Sequence, residues 1–307
     1  MPSQSAICPE GGAFGLFITA LIAPGGEAKL RDVAARLPAL TQQLAAELAE
    51  PSLVGSIAFG AEAWPRLFRQ APPPGLVPFA PLQGGDHAAP ATEADLFLHI
   101  HSNRADANFQ LGRRIMAALG PAVVLVEDIA AFRTQGNRDL TGFVDGTENP
   151  HGDERAEVAL VADGPFAGGS FVSIQRWEHD LSRWEALALA HQEAAIGRTK
   201  TDDQEMDDDE KPADAHIARV LIEEDGEELA ILRHSLPYGD MRRCGLYFVA
   251  YGASPKPFRR MLENMVLGDG AAQGFRHADR LMDYTRPVTG CAFFAPSMQM
   301  LATLEKY

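Results

Sequence analysis

The chain has 307 residues, 46% of them hydrophobic, enough for one large core or two of ordinary size. Its 42 acidic against 27 basic residues give a formal charge of −15 at pH 7, which repels a phosphate backbone, and nothing longer than Arg242-Arg243 or Arg259-Arg260 offsets it. Nucleic acid is thereby excluded as an expected partner, and so is a membrane, because the apolar run 13–24 is too short to span one.

That run follows Glu10 rather than a basic region, and neither a small-residue cleavage pattern nor a twin-arginine signal accompanies it, so a cytoplasmic location is expected. Cys8, Cys244 and Cys291 are odd in number, widely spaced and outside any CxxC or CxxCH arrangement. This argues against a disulfide framework, structural zinc, an iron–sulfur cluster and covalently attached c-type haem.

In chain order, residues 15–22 read as a buried strand, and 29–50 as a helix with Leu30, Val33, Leu37, Leu40, Leu44 and Leu48 at helical spacing. Residues 53–59 return as a strand. After the proline cluster 72–74, residues 95–101 alternate as a strand should, 105–119 follow as a helix and 122–128 as a strand. The resulting β-α-β-β-α-β order is that of a ferredoxin-like unit, with both helices on one face of a sheet. The second half repeats it more loosely: strand 169–175, helix 181–196, strands 228–234 and 245–251, helix 258–267 and strand 288–294, with no residue-level repeat. The predicted fold is α+β, two ferredoxin-like domains with antiparallel sheets, divided as 1–140 and 141–307.

Three stretches of the second half carry candidate chemistry. Gly142-Phe143-Val144-Asp145-Gly146 sets an acid between glycines that permit tight turns, behind an apolar pair that can pin the loop to a core. By composition it is either a Gly-Asx turn between domains or a loop that holds a carboxylate against a ligand. The insertion 197–225 holds seven Asp or Glu between Asp202 and Glu210, whose mutual repulsion should keep it mobile unless cations bind. It presents His216 flanked by the alanines Ala215 and Ala218, small enough for a flat ligand to approach, although such a histidine is also compatible with a surface or core role. In Ile231-Leu232-Arg233-His234-Ser235-Leu236-Pro237-Tyr238 a strand runs into a turn with Arg233 near its end, and alternation turns His234 to the opposite face.

Gly142 to Gly146, continued by Thr147-Glu148-Asn149-Pro150, resembles the GxxDG signature of the dye-decolorizing peroxidases in the form of their bacterial B-type members. The Arg-His-x-Leu-Pro-Tyr stretch and the loop histidine ahead of it resemble two further motifs of that family. The resemblance implies haem b held non-covalently, mainly by the second domain. His216 is then the iron ligand, Asp145 and Arg233 are the catalytic pair beside the open face, and Gly146 and Thr147 belong to the haem-contacting loop. It implies a propionate contact for Arg198 and an apolar lining from Leu246 and Phe248. Asp283 is the expected acceptor for the second nitrogen of His216. Family members often carry Asn where this chain has Ser235, which puts a direct role for that position in doubt. The implied activity is reduction of hydrogen peroxide and oxidation of bulky organic donors, such as dyes and phenolics, through a high-valent iron-oxo intermediate. A haem-handling protein for storage, delivery or iron release is the alternative. Exposed sheet edges suggest a homo-oligomer, and with Lys306-Tyr307 soon after the last expected strand, no tail of the nanocompartment-targeting kind is expected.

Overall fold

The computed structural model describes residues 1–224 and 226–304; the expected lack of a targeting tail concerns residues 305–307 and lies outside the described residues. The first half contains β1 (Phe14–Ile22), α1 (Glu27–Glu47), β2 (Val54–Gly60), β3 (Leu96–Ser102), α2 (Ala105–Leu119) and β4 (Val123–Phe132), in the expected order. The apolar spacing of α1 buries Leu30, Val33, Leu37 and Leu44 along one face. Helix α2 does the same with Leu111, Ile115 and Leu119. Both helices cover one face of the sheet through Ile18, Ile22, Leu98 and Ile100. Gly112 lets α2 sit close, since an added Cβ would lie 2.6 Å from the Leu16 Cδ2.

The second half contains β5 (Ser170–His179), α3 (Leu189–Ile196), α4 (His216–Val220), β6 (Leu232–Arg233), β7 (Leu236–Gly239), β8 (Cys244–Gly252), α5 (Lys256–Leu267), β9 (Thr285–Pro287) and β10 (Cys291–Ala295). Two expectations need correction. The helix expected over 181–196 is broken into a short turn, Leu181–Glu185, and α3. The break leaves the Trp184 carbonyl to accept from the Gln192 side chain at 2.9 Å, and the indole N–H donates to the Thr141 carbonyl at 2.9 Å. The strand expected over 228–234 shrinks to β6, because its first residues pair elsewhere: Glu228 lies opposite Glu223, and the Leu229 N–H donates to the Ile222 carbonyl at 2.8 Å.

Every pairing in the main sheet is antiparallel. The first half runs β4-β1-β3-β2 and the second β7-β8-β5-β10, so both halves share one strand order when numbered within themselves. The joints are equivalent too: β10 pairs with β2 (Phe293↔Gly60, Phe294↔Phe59), and β7 meets β4 at Tyr238↔Ala131. Eight strands therefore close a ring. Its interior is filled by aromatic side chains, with Phe17 of β1 stacked on Tyr247 of β8 at 4.3 Å and 4°, and Phe97 against Phe293 at 5.8 Å. Outside the second half, α5 packs Leu262, Met265 and Val266 toward Trp177 of β5.

Closure hides most sheet edges but leaves one open. Strand β4 pairs with β1 along its whole length yet meets β7 only at Ala131, and Val124, Leu125 and Val126 are exposed in succession. Among the described residues no helix is long and apolar enough to cross a membrane.

Two neighbours on β8 test this arrangement. Tyr247→Ala, inside the ring, should lower the unfolding free energy by about 3–5 kcal/mol, as expected for deleting a buried aromatic ring. Leu246→Ala, on the outer face, should cost measurably less in the same urea titration, and equal losses would show that the ring interior is not the principal core.

Candidate active site

Beyond β4 the chain makes a narrow loop whose two arms bond each other. Arg138 bridges Val144, the Asp139 N–H donates to the Phe143 carbonyl at 2.8 Å, and the Asp145 N–H donates to the Asn137 carbonyl at 2.8 Å. Gly142 and Gly146 both adopt φ of +90°, which strains any residue with a Cβ. Phe143 is buried edge-on against Trp184 at 6.0 Å, so it pins the loop as its sequence suggested.

Asn149 then ties this loop to β6. Its Oδ1 accepts from the Arg233 N–H at 2.8 Å and its Nδ2 donates to the Arg233 carbonyl at 2.9 Å, the paired bonding a neighbouring strand would supply. Asp145 and Arg233 are thus brought to one cleft, enclosed by α5, α4 and the outer faces of β5 and β8. The cleft measures about 1460 Å³ with its mouth included. Sequence reading did not single out Asn149. Its position just before Pro150 marks a turn, but its partner lies 84 residues away.

His216 opens α4 and faces the same cleft. Its Nδ1 lies 2.6 Å from a carboxylate oxygen of Asp279, which is wholly buried and accepts the Leu281 N–H at 2.9 Å through its other oxygen. An ionised carboxylate only accepts, so Nδ1 carries the proton and Nε2 is left with its lone pair toward the cleft. The acceptor is therefore Asp279 and not Asp283. Asp279 caps the short turn Arg280–Asp283, which carries Asp283 to its far end, half-exposed and 3.0 Å from His87 Nε2. Arg280 holds the carboxylate against the imidazole by clamping Asp214 with bonds of 2.7 and 3.1 Å.

The other cleft-lining histidine, His179, has both nitrogens engaged, with Asp139 at 3.1 Å and Thr285 at 2.6 Å. His234 faces the ring interior and His191 is exposed, so His216 is the cleft imidazole with a nitrogen to give. The flanking alanines do not line the cleft: Ala215 is buried against Gly197, and Ile217 and Val220 take that place.

Hydrogen bonding separates the two nearby acids. Burial pushes the Asp145 carboxyl above its ordinary range, and the opposing charge of Arg233 does not reverse this. Asp139 feels the same burial, yet the hydrogen bonds from His179 and Thr141 hold it low. The cleft therefore presents one carboxyl able to take or give a proton, a guanidinium beside it, and an imidazole nitrogen backed by a carboxylate.

Sequence profiles described as "Dyp-type peroxidase, N-terminal" and "Dyp-type peroxidase, C-terminal" match residues 4–133 and 136–300. The chain belongs to the Dyp-type peroxidase family. It is 40% identical over 291 residues to the dye-decolorizing peroxidase of Mycobacterium tuberculosis, covering 93% of this chain and 86% of that one. It superposes on a dye-decolorizing protein from V. cholerae with a TM-score of 0.91 at 42% identity, over 98% of this chain and 99% of the other. A variant of DypB from Rhodococcus jostii RHA1, solved in complex with heme, gives 0.93 at 36% identity over 98% of each chain. The resemblance to B-type members is thereby borne out.

The remaining residues named from sequence fall into place around this peroxidase-family cleft. Gly146, Thr147, Arg198, Leu246 and Phe248 all line it, the last two from the outer face of β8. Arg198 is buried and bonded to acids of the chain itself, Glu148 and, at 3.3 Å, Glu205. Thr147 donates to Asp203 at 2.5 Å. The insertion is thus pinned from within, since Lys211 also pairs with Glu205 at 2.6 Å and Asp208 at 3.0 Å. Ser235 lines a different cavity, behind β6.

The raised carboxyl of Asp145 makes a stability prediction for the haem-free protein. A carboxyl whose pKa is higher folded than unfolded favours folding while protonated and loses that contribution as pH rises through its folded value. Asp145→Asn should therefore melt at a higher temperature than the parent at pH 7, with the difference vanishing as pH falls to about 3.9, the ordinary value for an unfolded aspartate. A variant that is less stable at pH 7 would show that the carboxylate is a stabilising group.

Proposed function

We propose that the chain is a haem b peroxidase that reduces hydrogen peroxide and oxidises bulky organic donors such as dyes and phenolics. In this reading two ferredoxin-like halves meet near residue 140, and the second holds most of the haem. The observation that carries it is the composition of one cleft: a single available imidazole nitrogen, a carboxyl with a raised pKa and a guanidinium, enclosed by apolar side chains. Those residues fit haem. His216 would hold the iron through Nε2, Asp279 would make that nitrogen a stronger donor by accepting from Nδ1, and Leu246, Phe248, Ile217 and Met265 offer apolar walls for a flat macrocycle. Arg198 would reach a propionate by exchanging one of its internal acids for it.

The bound haem supplies the redox chemistry, accepting oxidising equivalents from peroxide and passing them to donors one electron at a time. Asp145 would take a proton from one peroxide oxygen and return it to the other, which leaves as water. A pKa raised by burial suits this exchange better than that of an ordinary aspartate, and it places the acid limb of activity at higher pH than an exposed carboxyl would. Arg233 would stabilise the negative charge that develops as the O–O bond breaks. A haem carrier needs only His216, so the convergence of Asp145 and Arg233 on the same cleft favours the enzyme. A cytoplasmic homo-oligomer remains part of the reading, supported for assembly by the open apolar edge of β4.

His216→Ala should lose most haem occupancy, and Asp279→Asn should keep haem but weaken affinity or activity by about 10–100-fold, measured by haem titration and turnover. A His216→Ala variant with full occupancy and an unchanged ferric spectrum would place the ligand elsewhere.

Asp145→Asn should slow the reaction with peroxide by about 10²–10⁴-fold. Arg233→Leu should slow it by about 10²–10³-fold. The arginine variant should also show an acid limb displaced to higher pH, because removing the cation lets the Asp145 pKa rise further. Stopped-flow rates against pH decide this, and wild-type rates in the asparagine variant would remove Asp145 from the proton transfer.

A further inference from the structure

The inner face of the ring carries a polar cluster that the cleft chemistry does not use. Tyr251 of β8 is wholly buried, and its hydroxyl lies 2.9 Å from His99 Nδ1 and 3.1 Å from the Ser56 hydroxyl. The rings of His101 and His234 stand 5.0 and 5.5 Å from His99. Burial, with these imidazoles beside it, pushes His99 well below its ordinary range, and burial pushes the Tyr251 phenol up. His99 is therefore a neutral base held against a phenol that does not ionise near neutral pH.

The cluster borders a polar cavity of about 690 Å³ with its mouth included, enough for water, lined by His99, His101 and His234. His234 Nε2 donates to the Ile7 carbonyl at 2.7 Å, while its buried Nδ1 has no hydrogen-bond partner among the described residues. Asp145 and Arg233 border this cavity as well as the cleft. Strand β8 separates the two regions: Leu246 and Phe248 face the cleft, Tyr247 and Tyr251 face inward.

We propose that Tyr251 and His99 form a proton-coupled redox pair that takes up an oxidising equivalent from the peroxide-oxidised haem when no organic donor is at hand. This rests on the haem peroxidase reading. One electron leaves the Tyr251 phenol for the oxidised haem, the O–H bond breaks, and its proton forms an N–H bond at His99 Nδ1, leaving a neutral tyrosyl radical and an imidazolium. An electron from a later donor and return of the proton restore both groups. Coupling is required because a phenol oxidised in a buried site cannot keep its charge without an acceptor, and His99 lies at hydrogen-bond distance. The polar cavity gives that added charge a route for solvation. Tyr238 lacks such a base: its hydroxyl is 2.9 Å from Arg176 and donates to the Trp177 carbonyl at 3.1 Å.

The test treats haem-loaded protein with one equivalent of hydrogen peroxide without donor, then follows the haem absorption and freeze-quenched electron paramagnetic resonance, with ring-deuterated tyrosine to identify the radical. The parent should give a tyrosyl signal that Tyr251→Phe abolishes, with haem occupancy unchanged. His99→Gln should form it about 10²-fold more slowly, the lower end for losing a positioned proton acceptor. In haem-free protein, nitrogen NMR should find His99 Nδ1 unprotonated, with a resonance that moves in Tyr251→Phe. A protonated Nδ1, a signal that survives in Tyr251→Phe, or no tyrosyl signal in protein whose haem spectrum responds to peroxide would each overturn the pair. A haem spectrum that ignores peroxide would overturn the peroxidase reading and the pair with it.

Discussion

The constraint on which the rest depends is that β5 and β8 are covered on both faces. Their register, Leu246↔Trp177 through Tyr251↔Val172, sends alternate side chains into the aromatic interior and out to the cleft. A slip of one residue would exchange the two sets, placing Tyr247 in the cleft and Phe248 in the core. Two features resist that slip. The Phe17 ring lies flat on Tyr247, and at Gly245 an added Cβ would stand 1.9 Å from the Trp177 carbonyl oxygen, so only glycine allows the strands this approach.

On that fixed wall the functional groups are hung by polar contacts between loops distant in sequence. Asn149 bonds both backbone groups of Arg233, and Arg280 bonds both carboxylate oxygens of Asp214. Each clamp orders a loop bearing one functional group against a segment bearing its partner: Asp145 with Arg233, His216 with Asp279. Part-buried contacts of this kind are worth more for geometry than for net stability, because desolvation offsets much of the attraction. The acidic excess is handled similarly, with Arg198 and Lys211 gathering the carboxylates around the mouth of the cleft.

The two acids of the loop show why charge alone does not describe the site. Asp139 and Asp145 are six residues apart and both largely desolvated, but one carboxylate receives hydrogen bonds from His179 and Thr141 and the other has only the fields of more distant cations, Arg233 foremost. A hydrogen bond at contact distance outweighs desolvation, whereas a separated charge does not. Both line the cleft, and the one left with a raised pKa is the one without such hydrogen bonds.

Much of this was legible in the chain itself. Period-2 and period-3.6 spacing located the strands and helices of the first half, and the local stretches around Asp145, His216 and Arg233 carried the family resemblance together with the three principal side chains. Alternation along one strand was enough to turn His234 away from Arg233. Closure of the ring was not legible, because it depends on β2 meeting β10 and on a single pair between β7 and β4, contacts with no local signature. Nor was the choice between Asp279 and Asp283, four residues apart in one segment, since tertiary bonds such as the clamp of Arg280 on Asp214 and that of the Asp279 N–H to the Met265 carbonyl set which carboxylate meets the imidazole. Sequence determined which groups are available and their local conformation; tertiary structure decided their partners and burial, because those depend on segments tens to hundreds of residues away.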